Sequence, residues 1–399
     1  LRGIAVISVV LYHADRAYLK GGFLGVDIFF VLSGFLITTI LLEEITTSAT
    51  LDRARFYQRR IRRLFPALIA LILVSIVIAG FFVSDSAYAL GRDLPWALTF
   101  VLNLSYIFFN QSYFINIARP PLLQHLWSLA IEEQFYILWP IVLLVLYRFK
   151  KNAYRAFVCA TATVFAIAST AWMAVLAHEN EYPVPNDPSR LYFGTDTHAM
   201  GLLIGCALAA VVRLEKLNPR ITPDRKAFMN VLGITAFAGL VAALFKVDEF
   251  SPALYRGGFL AISIVTALVV LVLVHPGLKF SAFLSNRILV WFGDRSYGMY
   301  IWHWPIFMVV RPGIDTTLPD IVTQILRTAI LLVVSDISYR YLELPIRQGA
   351  LSRLLGSWKS RGIPRPNIVT GSLVAVCGAV LVIGCLLYTS PSPRDQRGS

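Results

Sequence analysis

The chain has 399 residues, a formal net charge of +13, 57% hydrophobic residues and only 15% charged ones, with a mean hydropathy of +0.67. This balance excludes an ordinary soluble globular protein. It also makes nucleic acid a poor explanation of the charge, because the basic residues cluster between long apolar runs, where membrane proteins carry them on the cytoplasmic side.

A helix rises about 1.5 Å per residue, so crossing roughly 30 Å of hydrocarbon takes roughly 20 mostly apolar residues. Taken in order, segments 3–18, 24–42, 64–84, 125–147, 156–177, 191–213, 227–245, 258–274, 288–310 and 322–342 are predicted as ten core transmembrane helices, and 367–388 as an eleventh. They are rich in Leu, Ile, Val, Ala and Phe without strict alternation, which favours helices over barrel strands. The apolar stretch 95–109 is left out of the count. If it crossed, Arg148, Lys150, Lys151 and every later basic loop would lie outside. Read as re-entrant, it leaves most loop Lys and Arg inside and the N-terminus cytoplasmic.

The fold class expected is therefore all-α: a polytopic membrane helix bundle with one re-entrant segment and no internal repeat. Residues 1–347 form its membrane domain. A cytoplasmic linker over 348–366 contains Gly349, Gly356, Gly362, Pro364 and Pro366. The extra helix 367–388 follows, and 389–399 reads as a truncated or non-native tail. The first run begins at Leu1 without an initiator Met, and no small-residue cleavage site closes it. Cys159, Cys206, Cys377 and Cys385 lie in apolar runs without metal spacing, so they read as small core residues, and no metal site is expected.

Ionisable groups in lipid are costly unless paired, so each marks a candidate site. The topology puts His13, Asp27, Glu132, Glu133, Asp196, His198 and His303 at one outer level of five helices, which predicts a single site opening outward. The competing reading is separate polar pairs that fix helix packing. On the inner side stands Arg59-Arg60-Ile-Arg62-Arg63. Arg60 and Arg63 share a helix face beside Tyr57, and guanidinium forks at that spacing suit bidentate phosphate capture. A nucleotide-bearing donor such as coenzyme A fits them, whereas a positive-inside anchor is the plainer alternative.

The order of motifs resembles the acyltransferase-3 family. The opening Leu1-Arg2-Gly-Ile-Ala-Val with Tyr12-His13 is followed by Gly25-Val-Asp27-Ile-Phe-Phe-Val-Leu-Ser-Gly34-Phe and Phe56-Tyr57-Gln-Arg-Arg60-Ile-Arg-Arg63. Then come Leu126-Trp127-Ser128-Leu-Ala-Ile-Glu-Glu133-Gln-Phe-Tyr136 and Gly194-Thr-Asp196-Thr-His198. Ser296-Tyr297-Gly-Met-Tyr300-Ile-Trp302-His303-Trp-Pro305 and Tyr341-Leu-Glu343-Leu-Pro345-Ile-Arg347 complete the set. Where many members carry Arg in the Thr-Asp-Thr-Arg segment, this chain has His198.

The resemblance implies a membrane O-acyltransferase of a bacterial-type inner membrane. It would move an acyl group, expected to be acetyl, from cytoplasmic acyl-CoA to a hydroxyl of a cell-envelope glycan, a polysaccharide or lipopolysaccharide. Acetyl-CoA is then a donor substrate, with no permanently bound cofactor; the partners are acyl-CoA, the glycan acceptor and the bilayer, with no nucleic acid. His13 is expected as the general base, with Asp27 or Glu133 holding its tautomer. Arg2, Arg60, Arg63 and Tyr57 are expected to bind the donor, and Trp127, Asp196, His198, Tyr300, His303 and Glu343 to form substrate or structural sites. Members with an eleventh helix often continue into an SGNH hydrolase-like domain, and nothing resembling it follows here, so a missing C-terminal domain is expected. A transporter or flippase is the main competitor. It predicts paired broken helices and coupling to a gradient.

Overall fold

The structure is a computed structural model that describes residues 1–114 and 119–349. Most of the expected linker, the extra helix 367–388 and the tail 389–399 lie outside the described residues. Among the described residues the chain is helical and no β-strand forms. The helices in chain order are α1 (Arg2–Ala14), α2 (Gly25–Ser48), α3 (Arg53–Phe81), α4 (Ala87–Leu98), α5 (Leu102–Phe108), α6 (Leu126–Phe149), α7 (Tyr154–Glu179), α8 (Ser189–Phe193) and α9 (Thr195–His198). They continue with α10 (Met200–Val211), α11 (Pro223–Lys246), α12 (Phe259–Leu273), α13 (Phe280–Leu284), α14 (Arg287–Asp294), α15 (Ser296–Val309), α16 (Asp320–Ile337) and α17 (Leu344–Arg347). Two π-helical turns, Leu254–Gly258 and Ser338–Glu343, interrupt the regular hydrogen-bond ladder.

Among the described residues seven helical segments are long and apolar enough to cross a membrane: Gly22–Ser48, Arg53–Phe81, Leu126–Phe149, Lys151–Glu179, Pro223–Lys246, Leu254–Leu273 and Asp320–Arg347. They coincide with seven of the predicted spans, and the chain is a multi-pass membrane protein. Three other predicted spans take different forms. Segment 3–18 holds a 13-residue helix. Segment 191–213 is broken into α8, α9 and α10, and 288–310 into α14 and α15. The first break follows from Gly194, whose extended backbone (φ −68°, ψ 123°) stops α8. That break releases the carbonyls of Tyr192 and Phe193, which buried side chains then satisfy: His198 Nδ1 lies 2.8 Å from Tyr192 O, and Asn103 Nδ2 donates to Phe193 O at 2.9 Å. Stretch 95–109 is also discontinuous. Between α4 and α5 lies Phe100, in the left-handed region at φ 56°.

The described chain forms two compact units. The first contains, of the described residues, 1–51, 103–114 and 127–296. Its tightest contact is α2 on α10. A Cβ on Gly34 would lie 1.9 Å from Leu202 O, and one on Gly205 would lie 2.2 Å from Val31 O, so the backbones touch. Gly201 and Gly205, one turn apart on α10, make this approach available, the small-residue stripe on which membrane helices pack. A closed ring of hydrogen bonds ties α5, α6 and α9 together. Asn103 Nδ2 donates to Thr195 Oγ1 (2.9 Å), Thr195 to Gln134 Oε1 (2.7 Å), and Gln134 Nε2 to Asn103 Oδ1 (2.9 Å). Every member is satisfied, which is what makes a buried polar network stabilising.

The second unit contains, of the described residues, 52–102, 119–126 and 297–349. Here Tyr297 Oη, on α15, donates to Leu64 O of α3 at 2.7 Å. Its loops are tied by charge. Arg119 pairs with Asp85 (3.0 Å) and Asp315 (2.8 Å) and donates to the Met308 carbonyl, while Arg311 pairs with Asp315 at 2.8 Å. Hydrogen bonds from Arg311 first, then from Arg119, hold the Asp315 carboxyl well below the usual carboxylate range.

Candidate active site

In the first unit, α1 carries His13 at its C-terminal end. The half-buried ring lies with Nε2 3.0 Å from Tyr113 Oη. Tyr113 belongs to the connection between α5 and α6, and its backbone N–H donates to Ser189 Oγ at 2.7 Å. Burial pushes its phenol above the ordinary tyrosine range, so it remains an O–H group at any physiological pH. Its ring packs on Tyr192 (centroids 4.8 Å apart) and meets Trp127 edge-on at 6.0 Å. His13 therefore faces an aromatic wall. Three residues further along the chain, Arg16 pairs with buried Glu249 (2.7 Å) and donates to Phe114 O (3.2 Å).

Asp27 does not hold His13, and that expectation is corrected. Its Oδ1 lies 3.0 Å from His198 Nε2, and both side chains are 0% exposed. Oδ2 has no hydrogen-bond partner among the described residues. The reason lies in the backbone: the glycine-mediated approach of α2 and α10 carries α9, and with it His198, onto the first turn of α2. The Tyr192 carbonyl can only accept, so His198 Nδ1 carries a hydrogen. The Nε2–Oδ1 contact then shares one proton, as imidazolium with carboxylate or imidazole with carboxylic acid. His198 is stacked on Trp127, their rings 5.7 Å apart and 22° from parallel. The pair thus braces the wall that Tyr113 joins.

Of the other expected residues in this unit, Glu132 accepts from Ser33 Oγ at 2.8 Å, and Glu133 is half-buried beside it on α6. Asp196 has partners other than His198. It makes a bidentate pair with Arg190 (3.0 and 2.7 Å) and accepts from Trp172 Nε1 (2.9 Å). Arg2 is half-buried at the start of α1, its Cβ 4.0 Å from where a Gly293 Cβ would lie.

His303 belongs to the second unit, where it has its own polar surroundings. Its Nδ1 lies 2.6 Å from Tyr300 O, and Tyr300 Oη donates to His125 O at 2.6 Å. The His125 and His303 rings are 5.6 Å apart. In the same unit Arg60 lies over the Phe56 ring (5.6 Å), and Tyr57, Arg60 and Arg63 are half-buried. Glu343 is buried in the π-helical turn and accepts from Ser338 Oγ at 3.1 Å. Among the described residues no group of three or more His, Cys, Asp and Glu could hold a metal ion.

Tyr113, Tyr192 and Asn103 were absent from the sequence reading, and Gln134 and Thr195 entered it only as members of longer motifs. Tyr113 lies 100 residues from His13, in a polar connection with no periodic pattern, so no local signal joins the two.

Residues 1–340 match the family described as "Acyltransferase domain". The chain is 38% identical over 384 residues to the peptidoglycan O-acetyltransferase OatA of Listeria monocytogenes serovar 1/2a, covering 96% of this chain and 61% of that protein. It is 38% identical over 349 residues to the O-acetyltransferase OatA of Staphylococcus aureus strain NCTC 8325, covering 87% and 56%. The chain therefore spans little more than half the length of these relatives. No solved structure matches. The broken segments around Gly194 and Arg295 are what a transporter reading calls for, but the match over residues 1–340 is to an acyltransferase domain. The chain is a multi-pass membrane protein and belongs to the acyltransferase-3 family.

Proposed function

We propose that the chain transfers an acetyl group from acyl-CoA at the cytoplasmic side to a hydroxyl of a cell-wall glycan of the peptidoglycan class. One observation carries the mechanism: an imidazole in an apolar helix with a tyrosine hydroxyl 3.0 Å from its Nε2. The relatives, named as O-acetyltransferases and in one case for peptidoglycan, supply the reaction and the acceptor.

A sugar hydroxyl is a weak nucleophile and needs a base near neutrality, which imidazole provides. The acceptor O–H takes the place of Tyr113 Oη at Nε2 and gives its proton to His13. Its oxygen then bonds to the thioester carbonyl carbon. The C–S bond breaks, and the imidazolium returns the proton to the departing thiolate. Tyr113, displaced by about one hydrogen-bond length, can donate to the developing oxyanion. On this reading Arg60, Arg63 and Tyr57 serve as the donor's contacts, guanidinium groups being suited to phosphate. The expected check is mass analysis of released wall fragments: cells with the chain gain O-acetyl groups, and unchanged fragments would reject the acceptor assignment.

The same reading places the N-terminus in the cytoplasm, with ten core crossings and 95–109 re-entrant. The Arg148 to Arg155 turn is then inside. An impermeant thiol reagent applied to intact cells should not label Cys at Asn152→Cys. Labelling from outside would invert the topology.

A further inference from the structure

Apart from His13 and its wall, the first unit has a cavity that the proposed reaction does not use. It holds about 370 Å³ where α2 ends, α7 begins and the chain leaves α10. Thr46, Lys151, Tyr154, Arg155, Arg213 and Glu215 line it. Three cations thus face one carboxylate, an arrangement whose mutual repulsion an anion relieves. Lys151, Arg213 and Glu215 are exposed and Arg155 is half-buried, so the chamber is open to a soluble ligand.

A second observation is independent of the charge. Tyr154 is 3% exposed, and its buried hydroxyl has no hydrogen-bond partner among the described residues. A buried hydroxyl left unpaired is costly, and a phosphate oxygen in the cavity would accept from it. The N-terminus of α7, a 26-residue helix, opens at the same place and adds its positive end.

We propose that this cavity is a phosphate-binding site, with Lys151, Arg155 and Arg213 as its cations and Tyr154 as its neutral donor. The ligand is a phosphate monoester or diester, and two sources share that chemistry: the nucleotide end of a coenzyme A donor and the headgroup of an anionic phospholipid. The first source rests on the transfer reaction proposed above, and the second does not.

The experiment measures binding without turnover on the purified chain. Coenzyme A is titrated in zwitterionic detergent, and phosphatidylglycerol is compared with phosphatidylcholine in nanodiscs. Replacing one charged contact to phosphate weakens affinity by about tenfold or more. Arg213→Gln and Arg155→Gln are each expected to do so for one of the two ligands, while Lys226→Gln, a charge removed outside the cavity, should not. Because Arg155 also donates to Ala209 O at 3.2 Å, Arg213→Gln keeps the test decisive if the Arg155 variant loses stability. Weakened coenzyme A binding identifies the donor, and weakened phosphatidylglycerol binding identifies the lipid. If neither ligand binds, or both bind the variants as they bind the parent, the site does not exist. In that event an effect of His13→Ala on transfer would leave the catalytic reading standing.

Discussion

Replacing His13 by Ala is expected to lower acetyl transfer by ~100-fold or more, the usual scale for losing a general base. The expectation rests on position: His13 stands at the end of a short apolar helix and is half-buried against Tyr113. Fold should survive, so the thermal midpoint in detergent serves as the control. Tyr113→Phe separates two roles. It keeps the ring against Tyr192 and Trp127 but removes the hydroxyl, so packing is retained while a hydrogen bond to His13 or to the oxyanion is lost. Its effect should be smaller than that of His13→Ala and should fall on kcat more than on KM. A His13→Ala protein that transfers at the parent rate would remove the base from the mechanism.

The largest effect on stability is expected at Asp27 and His198. Removing one member of a buried pair leaves the other uncompensated, which costs about 3–5 kcal/mol. Asp27→Leu and His198→Phe should each lower the thermal midpoint sharply. The double variant replaces both partners by apolar groups among Trp127, Tyr192 and Phe259 and should recover much of the loss. The non-additivity in that cycle measures the pairing itself. Additive losses would mean that the two residues act separately, despite the 3.0 Å contact. Recovery of stability without recovery of transfer would show that the pair also positions the aromatic wall for His13.

Seven spans were legible because their apolar runs are unbroken and match crossing length. The segments around Gly194 and Arg295 were not, because hydropathy averaged over 20 or so residues passes across a one-residue break. What broke α8 from α9 is local backbone geometry, and what stabilises the break is tertiary: Asn103, 90 residues away, donates to the freed Phe193 carbonyl. The site divides the same way. His13, Asp27 and His198 stood out singly as ionisable groups in apolar sequence, but which carboxylate meets which imidazole depends on α2 and α10 touching through Gly34 and Gly205. The glycines were readable, their contact was not. Tyr113 lacked any marker, since an aromatic residue in a connecting segment is common.

The central claim is that this chain moves an acetyl group through His13. The most direct measurement gives purified chain radiolabelled acetyl-CoA and peptidoglycan glycan strands and follows label into base-labile ester on the glycan. The account predicts ester formation by the parent and a loss of ~100-fold or more in His13→Ala at equal folded protein. Label reaching the glycan at the same rate in both would contradict it.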